Sequence, residues 1–437
     1  MQFFRMSLRF KGTFLPFLFC LVSCGQQPKE SSNPDSYRGQ TIHFKDTTIG
    51  IVVAANRTET YVPLLKNKTI GVVANQTSLI FKKGNYEIGS AKLGIGQTKN
   101  LKTSAGHAHL VDSLLALDID IIKVFAPEHG FRGKADAGEA VNDGIDTKTG
   151  LPILSLHGKN RKPTQEQLKN LDVVVFDIQD VGVRFYTYIA TLQLVMEACA
   201  VAKVPVIVLD RPNPNGHYVD GPTMKAEHTS FLGMTEIPLV YGMTIGEYAR
   251  MINEEGWLEG GLKTDLTIIE LKNYTHASEY SLPIRPSPNL PNDVAINLYP
   301  SLGLFEGTNI NAGRGTEFQF QRYGASFLDS TAYSFRYTPQ PNFGSKYPKE
   351  EGKICYGKDL SQHPRVSEMS LHWLLDAYQN CVDKTKFFNT NGFTRHAGTE
   401  KLQQQIEAGL SEVEIKATWQ EELESFKKLR KNYLLYD

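Results

Sequence analysis

Cysteine is scarce in this chain, with five in 437 residues. Cys20 and Cys24 fall in the amino-terminal segment, which leaves Cys199, Cys355 and Cys381 for the body of the protein. So few, without zinc-type spacing, exclude a disulfide framework and a structural zinc module. Cys199 lies in an apolar helical pattern and reads as a buried small hydrophobe, while Cys355 and Cys381 could pair in an oxidising compartment. Excess charge of either sign is also missing, since 47 Lys and Arg balance 47 Asp and Glu. That balance argues against a nucleic-acid partner, which normally meets a basic stripe. No G-x-G-x-x-G opens a helix and no G-x-x-x-x-G-K-[ST] occurs, so nothing supports a nicotinamide or ATP cofactor, and none is expected. Internal repeats are absent as well.

The amino terminus reads as a targeting segment. Arg5, Arg9 and Lys11 form a positive region ahead of the apolar stretch Phe14 to Val22, which is too short to span a bilayer. It closes on Leu21-Val22-Ser23-Cys24-Gly25, like a bacterial lipoprotein signal with Cys24 as the acylated first residue of the mature chain. A plain cleaved signal with an incidental cysteine is the alternative. The expected organisation is a signal peptide over residues 1–24 and a flexible tether over 25–44. An anchored, exported protein in the periplasm or on the outer membrane follows, its membrane contact made through lipid on Cys24.

Four apolar runs then end abruptly in dense polar clusters. Val72-Val73-Ala74 runs into Asn75-Gln76-Thr77-Ser78, and Ile121 to Ala126 into Pro127-Glu128-His129-Gly130-Phe131-Arg132-Gly133. Val173 to Phe176 runs into Asp177-Ile178-Gln179-Asp180-Val181-Gly182-Val183-Arg184, and Val206 to Leu209 into Asp210-Arg211-Pro212-Asn213-Pro214-Asn215-Gly216. Near-continuous β-branched runs are the mark of strands buried on both faces, as in a parallel sheet covered by helices. Ligands in such sheets bind beyond the carboxyl ends of the strands, so the clusters point to one shared site and to an enzyme.

Strands are expected at Ile70–Ala74, Ile121–Ala126, Pro152–Leu156, Val173–Ile178, Pro205–Asp210 and Leu266–Leu271. Helices are expected at His109–Leu117, Gln165–Leu171, Tyr188–Ala202 and Thr244–Glu255, the last signed by a Thr244/Glu247 capping box. The alternation predicts a doubly wound, mostly parallel α/β domain over residues 45–275. A smaller α+β domain over 276–437 follows a rigid, proline-rich crossing segment, Pro283 to Asn292. Its glycine-rich stretch through Glu306 and Glu317 reads as a loop facing the crevice, and helices are expected at Ser367–Tyr378, Glu400–Leu410 and Trp419–Tyr433.

Three groups carry the chemistry. Glu128 follows a buried strand between Phe125 and Phe131, with His129 and Arg132 beside it. Apolar surroundings suit a general acid, whereas pairing with Arg132 would make it structural. Asp177, Asp180, Arg184, Tyr186 and Tyr188 form a second group, in which Arg184 offers a planar fork for a carboxylate. The alternative there is an Asp180–Arg184 pair on a helix surface. Glu306, Asn309, Asn311, Arg314 and Glu317 form the third, among glycines that let backbone approach a ligand; a bare surface loop is the competing reading. His107, His109 and His129 with Asp136 and Glu139 offer a metal-hydrolase alternative, although their spacing is not that of a metal site.

The motifs Val73-Ala74-Asn75-Gln76-Thr77, Pro127 to Gly133, Asp177 to Tyr188, Asp210 to Gly216 and Glu306-Gly307-Thr308-Asn309 together resemble, in order and over almost the whole mature chain, the exo-β-N-acetylmuramidases of the NamZ type. The resemblance implies a Rossmann-like domain with a smaller carboxyl-terminal domain and a site between them. It further implies a glycoside hydrolase releasing N-acetylmuramic acid from the non-reducing end of peptidoglycan-derived saccharides, with Glu128 as catalytic acid. The expected catalytic set is Glu128, Asp177 and Glu306. Asn75, His129, Arg132, Arg184, Tyr186, Asn309, Arg314 and Glu317 are expected to bind substrate, with arginines meeting its lactyl carboxylate. A non-catalytic glycan-binding lipoprotein and a metal-dependent amidohydrolase are the alternatives.

Overall fold

The computed structural model describes residues 50–81, 106–133 and 142–437. The signal segment, Cys24, the tether, Asp136 and Glu139 lie outside the described residues.

A seven-stranded sheet forms the centre. Its spatial order is Leu266–Ile269, Val206–Leu209, Val173–Asp177, Ile70–Ala74, Ile121–Ala126, Pro152–Ser155 and Gly144–Ile145. Every neighbouring pair is parallel except the last, where the two-residue edge strand runs antiparallel. In chain order the six parallel strands read 3-2-1-4-5-6, the Rossmann-type arrangement. The direction of winding reverses between Ile70–Ala74 and Val173–Asp177, which pair in register from Ile70↔Val173 to Ala74↔Asp177.

The β-branched runs are buried because both faces are covered. Val73, Val174, Phe176, Val206 and Val208 point into one core with the helices Tyr188–Ala202 and Ile245–Glu254. Val72, Val173, Val175, Ile207 and Leu209 point into a second with the helices Thr58–Leu65 and Leu110–Leu115. Alternating residues of one strand therefore feed opposite cores, as the pleat requires. Thr244 caps the Ile245–Glu254 helix through the full capping box with Glu247.

The carboxyl-terminal part joins the first core rather than building a separate one: Leu298, Phe305, Trp373 and Phe393 pack in the same cluster as Val174 and Phe176. It holds a small antiparallel sheet, Arg322–Ala325, Cys355–Asp359 and Phe335–Tyr337, with the middle segment central. Its helices include Asp293–Leu302, His372–Gln379, Thr390–Ala397, Lys401–Glu407 and Gln420–Arg430. A helix outside the expected set appears here, and one expectation is corrected. Asp293–Leu302 is helical in spite of Pro300, because Asn292 caps its first turn by accepting from the Ala295 amide at 2.9 Å. The expected loop after it begins as a 3₁₀ helix, Gly303–Gly307. Cys199, Cys355 and Cys381 are free thiols, all buried.

Candidate functional site

Glu128 stands on a four-residue turn directly beyond the Ile121–Ala126 strand. The Gly130 amide donates to the Pro127 carbonyl at 3.0 Å, closing the turn. His129, buried at its third position, has φ of 70°, followed by Gly130 at 74°. A non-glycine residue there costs about 1–2 kcal/mol, and such strain persists only where surrounding contacts fix it. The Tyr188 hydroxyl reaches the Glu128 carbonyl at 3.4 Å from the first turn of its helix. Glu128 itself is half-buried.

A second carboxylate comes from the other half of the molecule. Glu306 lies in the Gly303–Gly307 turn, and Arg314 donates to its Oε2 at 2.8 Å, each side chain 24% exposed. The Lys349 ammonium closes the carboxyl end of that turn, donating to the carbonyls of Phe305, Glu306 and Thr308 at 2.9, 3.0 and 2.6 Å. Burial works against the charge on Glu306, yet Arg314, Lys349 and His396 together hold its carboxyl below the usual range. His396 arrives on the Thr390–Ala397 helix, which packs against the turn at Gly307, where an added Cβ would lie 2.3 Å from the Phe393 Cα. No side chain larger than hydrogen permits that approach. Burial lowers the His396 pKa, with the charge of Glu306 opposing.

Tyr299 links the two carboxylates. It projects from the Asp293–Leu302 helix with its ring edge-on to Phe185, Phe320 and Tyr186, at 5.2, 4.8 and 6.1 Å. Burial raises its phenol pKa, and the charges of Glu306 and then Glu128 push it further, with Arg314 opposing. Glu128 likewise acts on Tyr188 and on Arg314. Glu128, Glu306, Arg314, Tyr188 and Tyr299 therefore share one electrostatic neighbourhood, although they come from separate segments. Tyr186 packs edge-on to Tyr188 at 4.9 Å and donates to the Pro286 carbonyl at 2.8 Å. Gln76 donates to the same carbonyl at 3.1 Å, so the proline-rich segment crosses the strand ends and ties down this wall.

Asn75 is wholly buried beneath that wall. Its Oδ1 accepts from the Thr77 amide and hydroxyl at 2.8 and 2.5 Å. Its amide nitrogen meets no strict hydrogen-bond geometry, yet it approaches the Tyr188 hydroxyl closely enough to act on it.

The other expected site residues either make contacts within the fold or stand exposed. Asp177 is fully buried and gripped bidentately by Arg211, through Nε at 2.6 Å and Nη2 at 2.8 Å. Arg184 is buried too. Its guanidinium donates to the carbonyls of Pro222, Ile237, His396 and Ala397 at 2.8, 2.8, 3.0 and 2.7 Å. Neither side chain has surface to offer a ligand, and no Asp180–Arg184 pair forms. Asp180 accepts from the Gly182 amide at 2.7 Å and from the Tyr241 hydroxyl. Arg132 pairs with Asp112 and Asp146 at 3.0 and 2.7 Å and lies over the Phe131 ring at 4.4 Å. Asn309 is exposed and donates to the Lys386 carbonyl at 2.7 Å, while Glu317 is exposed. His109 caps the Leu110–Leu115 helix and bonds the Asn75 carbonyl at 2.9 Å. Among the described residues no group of three His, Cys, Asp or Glu side chains is placed to hold a metal ion.

Tyr299, Lys349, His396 and Arg211 are not among the site residues expected from the motifs. For Tyr299 a signal existed: the apolar spacing Ala295, Ile296, Leu298 and Leu302 behind an Asn292 cap marks a helix with Tyr299 beside its buried face. Lys349 and His396 carry no comparable local mark.

The profile described as "Exo-beta-N-acetylmuramidase NamZ, N-terminal" matches residues 95–294, and its C-terminal counterpart matches 297–436. Peptidoglycan beta-N-acetylmuramidase NamZ of Bacillus subtilis (strain 168) is 36% identical over 448 aligned positions, covering 98% of this chain and 100% of that one. A crystal structure of a DUF1343 family protein from Bacteroides fragilis NCTC 9343 superposes with a TM-score of 0.76 at 42% identity, over 89% of this chain and 99% of that one. A second DUF1343 family structure from the same organism gives 0.71 at 25% identity, over 89% and 100%.

Proposed function

This chain belongs to the exo-β-N-acetylmuramidase NamZ family, and from that premise we propose that it releases N-acetylmuramic acid from the non-reducing end of peptidoglycan fragments. In this reading Glu128 is the general acid and protonates the departing glycosidic oxygen while positive charge develops on the sugar ring. What supports the assignment is placement: Glu128 stands half-buried on the turn beyond the Ile121–Ala126 strand, its carbonyl 3.4 Å from the Tyr188 hydroxyl, and its charge reaches the same Tyr299 phenol as that of Glu306.

The two carboxylates differ in their surroundings, as acid–base division of labour requires. Glu306 is kept ionised by its cationic neighbours, which suits it to stabilise the developing positive charge or to activate water. Glu128 stands half-buried on a strained turn whose backbone carbonyl the Tyr188 hydroxyl meets at 3.4 Å, and from that turn its side chain serves the leaving oxygen. Of the three arginines expected to meet the lactyl carboxylate, Arg314 alone lies beside the carboxylate pair, so it takes that role here. Of Asp177 and Glu306, both expected in the catalytic set, we take Glu306 as the second carboxylate.

Export and lipid anchoring at Cys24 place the enzyme where cell-wall fragments arise, and a Cys24→Ala chain is expected in the soluble fraction. The test of the reaction is chromatographic. Wild-type protein is expected to release free N-acetylmuramic acid from N-acetylmuramyl-N-acetylglucosamine, and Glu128→Gln to lower that rate about 10³-fold. Near wild-type release by Glu128→Gln would remove Glu128 from the mechanism.

A further inference from the structure

We propose that Phe343, with Tyr347 beside it, is a stacking platform for the sugar on the leaving side of the cleaved bond, so that the site recognises the glycan beyond the muramic acid it releases. The proposal rests on the functional reading above and extends it to a second binding subsite.

Asn342 and Ser345 exchange backbone hydrogen bonds at 3.1 and 3.0 Å, which leaves Phe343 and Gly344 as the tip of a tight turn. Gly344 has φ of 97°, and a Cβ there would lie 2.8 Å from the Pro288 Cβ, so the turn sits hard against the proline-rich crossing segment. The Gly344 carbonyl accepts from Arg314 Nη2 at 3.3 Å and from the Asn289 amide at 2.7 Å. The same Arg314 holds Glu306 through its other terminal nitrogen. Past the turn, Lys349 grips the carbonyls around Glu306. Residues 342–349 are thus clamped to the Glu306 segment at both ends.

On this anchored loop the two aromatic side chains face solvent: Phe343 is 57% exposed and Tyr347 90% exposed. Phe318 on the neighbouring loop is exposed as well, but the Arg322 guanidinium lies over its ring at 4.1 Å. Among the described residues no ring or cation lies over Phe343. An exposed phenylalanine on a mobile tip would be unremarkable. One fixed by a carbonyl bonded to the site's own arginine is pre-organised to receive a flat apolar face. The chemistry that fits is a pyranose ring, whose axial C–H face packs on an aromatic ring while its hydroxyls stay in water. The ring assigned there is the leaving sugar: the muramic acid ring is taken to lie against Glu128 and Glu306, and Arg314 joins that carboxylate to the Phe343 turn, donating to Glu306 through Nη1 and to the Gly344 carbonyl through Nη2. An exo-acting hydrolase has glycan continuing on that one side.

The experiment compares two ligands on three proteins: wild type, Phe343→Ala and Phe343→Tyr. N-acetylmuramyl-N-acetylglucosamine spans both subsites, whereas free N-acetylmuramic acid, tested as a competitive inhibitor, fills only the first. Phe343→Ala is expected to lower kcat/KM for the disaccharide about tenfold, mainly through KM, and to leave the Ki of free N-acetylmuramic acid within about twofold. Phe343→Tyr is expected to restore the disaccharide value. The platform is overturned if Phe343→Ala leaves kcat/KM unchanged, or if it weakens both ligands equally, which marks a structural role. Failure of the wild-type protein to cleave the disaccharide at all would instead overturn the functional reading.

Discussion

The strand end after Val173–Asp177 and the one after Ile121–Ala126 look alike in sequence and have opposite fates. Both carry a carboxylate, an arginine and glycines directly beyond a buried apolar strand. In the first, Asp177 is sealed against Arg211, and Arg184 satisfies four carbonyls that join the sheet region to the Thr390–Ala397 helix. In the second, Glu128 stays half-exposed on a strained turn while its neighbour Arg132 is drawn off by Asp112 and Asp146. Polar density at the carboxyl end of a parallel strand therefore marks the neighbourhood of a site, not its members. What separates the two is where the arginine finds its acceptors: Arg211 and Arg184 turn inward and lock the fold, whereas Arg132 turns sideways to Asp112 and Asp146.

The contrast can be broken from either side. The largest effect is expected at the sealed end. Asp177→Ala leaves the Arg211 guanidinium buried without its counter-charge and should cost about 3–5 kcal/mol in urea unfolding. Arg184→Ala orphans four carbonyls and should cost about 3 kcal/mol. If either variant lost activity while keeping its unfolding midpoint, that strand end would belong to the catalytic machinery after all. For the Glu306 carboxylate in the Gly303–Gly307 turn the signs reverse: Glu306→Gln should lower the rate about 10²-fold with little change in thermal midpoint.

The pH dependence sharpens the same contrast. Burial pushes the His109 pKa from 6.5 down to about 4, so the unfolded chain takes up the proton first. This residue's contribution is full above about pH 6.5 and falls as the pH drops toward 4. A His109→Gln variant should flatten that part of the thermal-midpoint curve; an unchanged slope would show that other groups set it. The smallest effect is expected at the capping box, where Thr244→Ala should cost about 1 kcal/mol and leave kcat untouched.

Much of the sheet was legible because β-branched runs such as Val173-Val174-Val175 have few other places to go, and all six expected strands pair in the central sheet. The Tyr188–Ala202 helix was legible to its ends. The Asp293–Leu302 helix was not, because Pro291 and Pro300 argue locally against helix, while the Asn292 cap and the burial of Leu298 and Leu302 decide in favour. The three short strands of the small sheet were missed for a related reason: Gly324 and Gly357 sit opposite each other, where close backbone contact rather than side-chain pattern sets the pairing. In the site, Glu128, Glu306 and Arg314 could be proposed from their motifs. Lys349 and His396 could not, because their placement depends on how the Thr390–Ala397 helix and the loop before Glu350 fold back onto the Glu306 turn.

The most direct measurement is a crystal structure of the Glu128→Gln protein with N-acetylmuramyl-N-acetylglucosamine bound. The account predicts the glycosidic oxygen about 2.6–3.2 Å from the residue 128 side chain, with Glu306 and Arg314 against the muramic acid ring and Asp177 and Arg184 still sealed in their internal contacts. A disaccharide whose scissile bond lies away from residue 128, or whose lactyl carboxylate is held by Arg184, would contradict it.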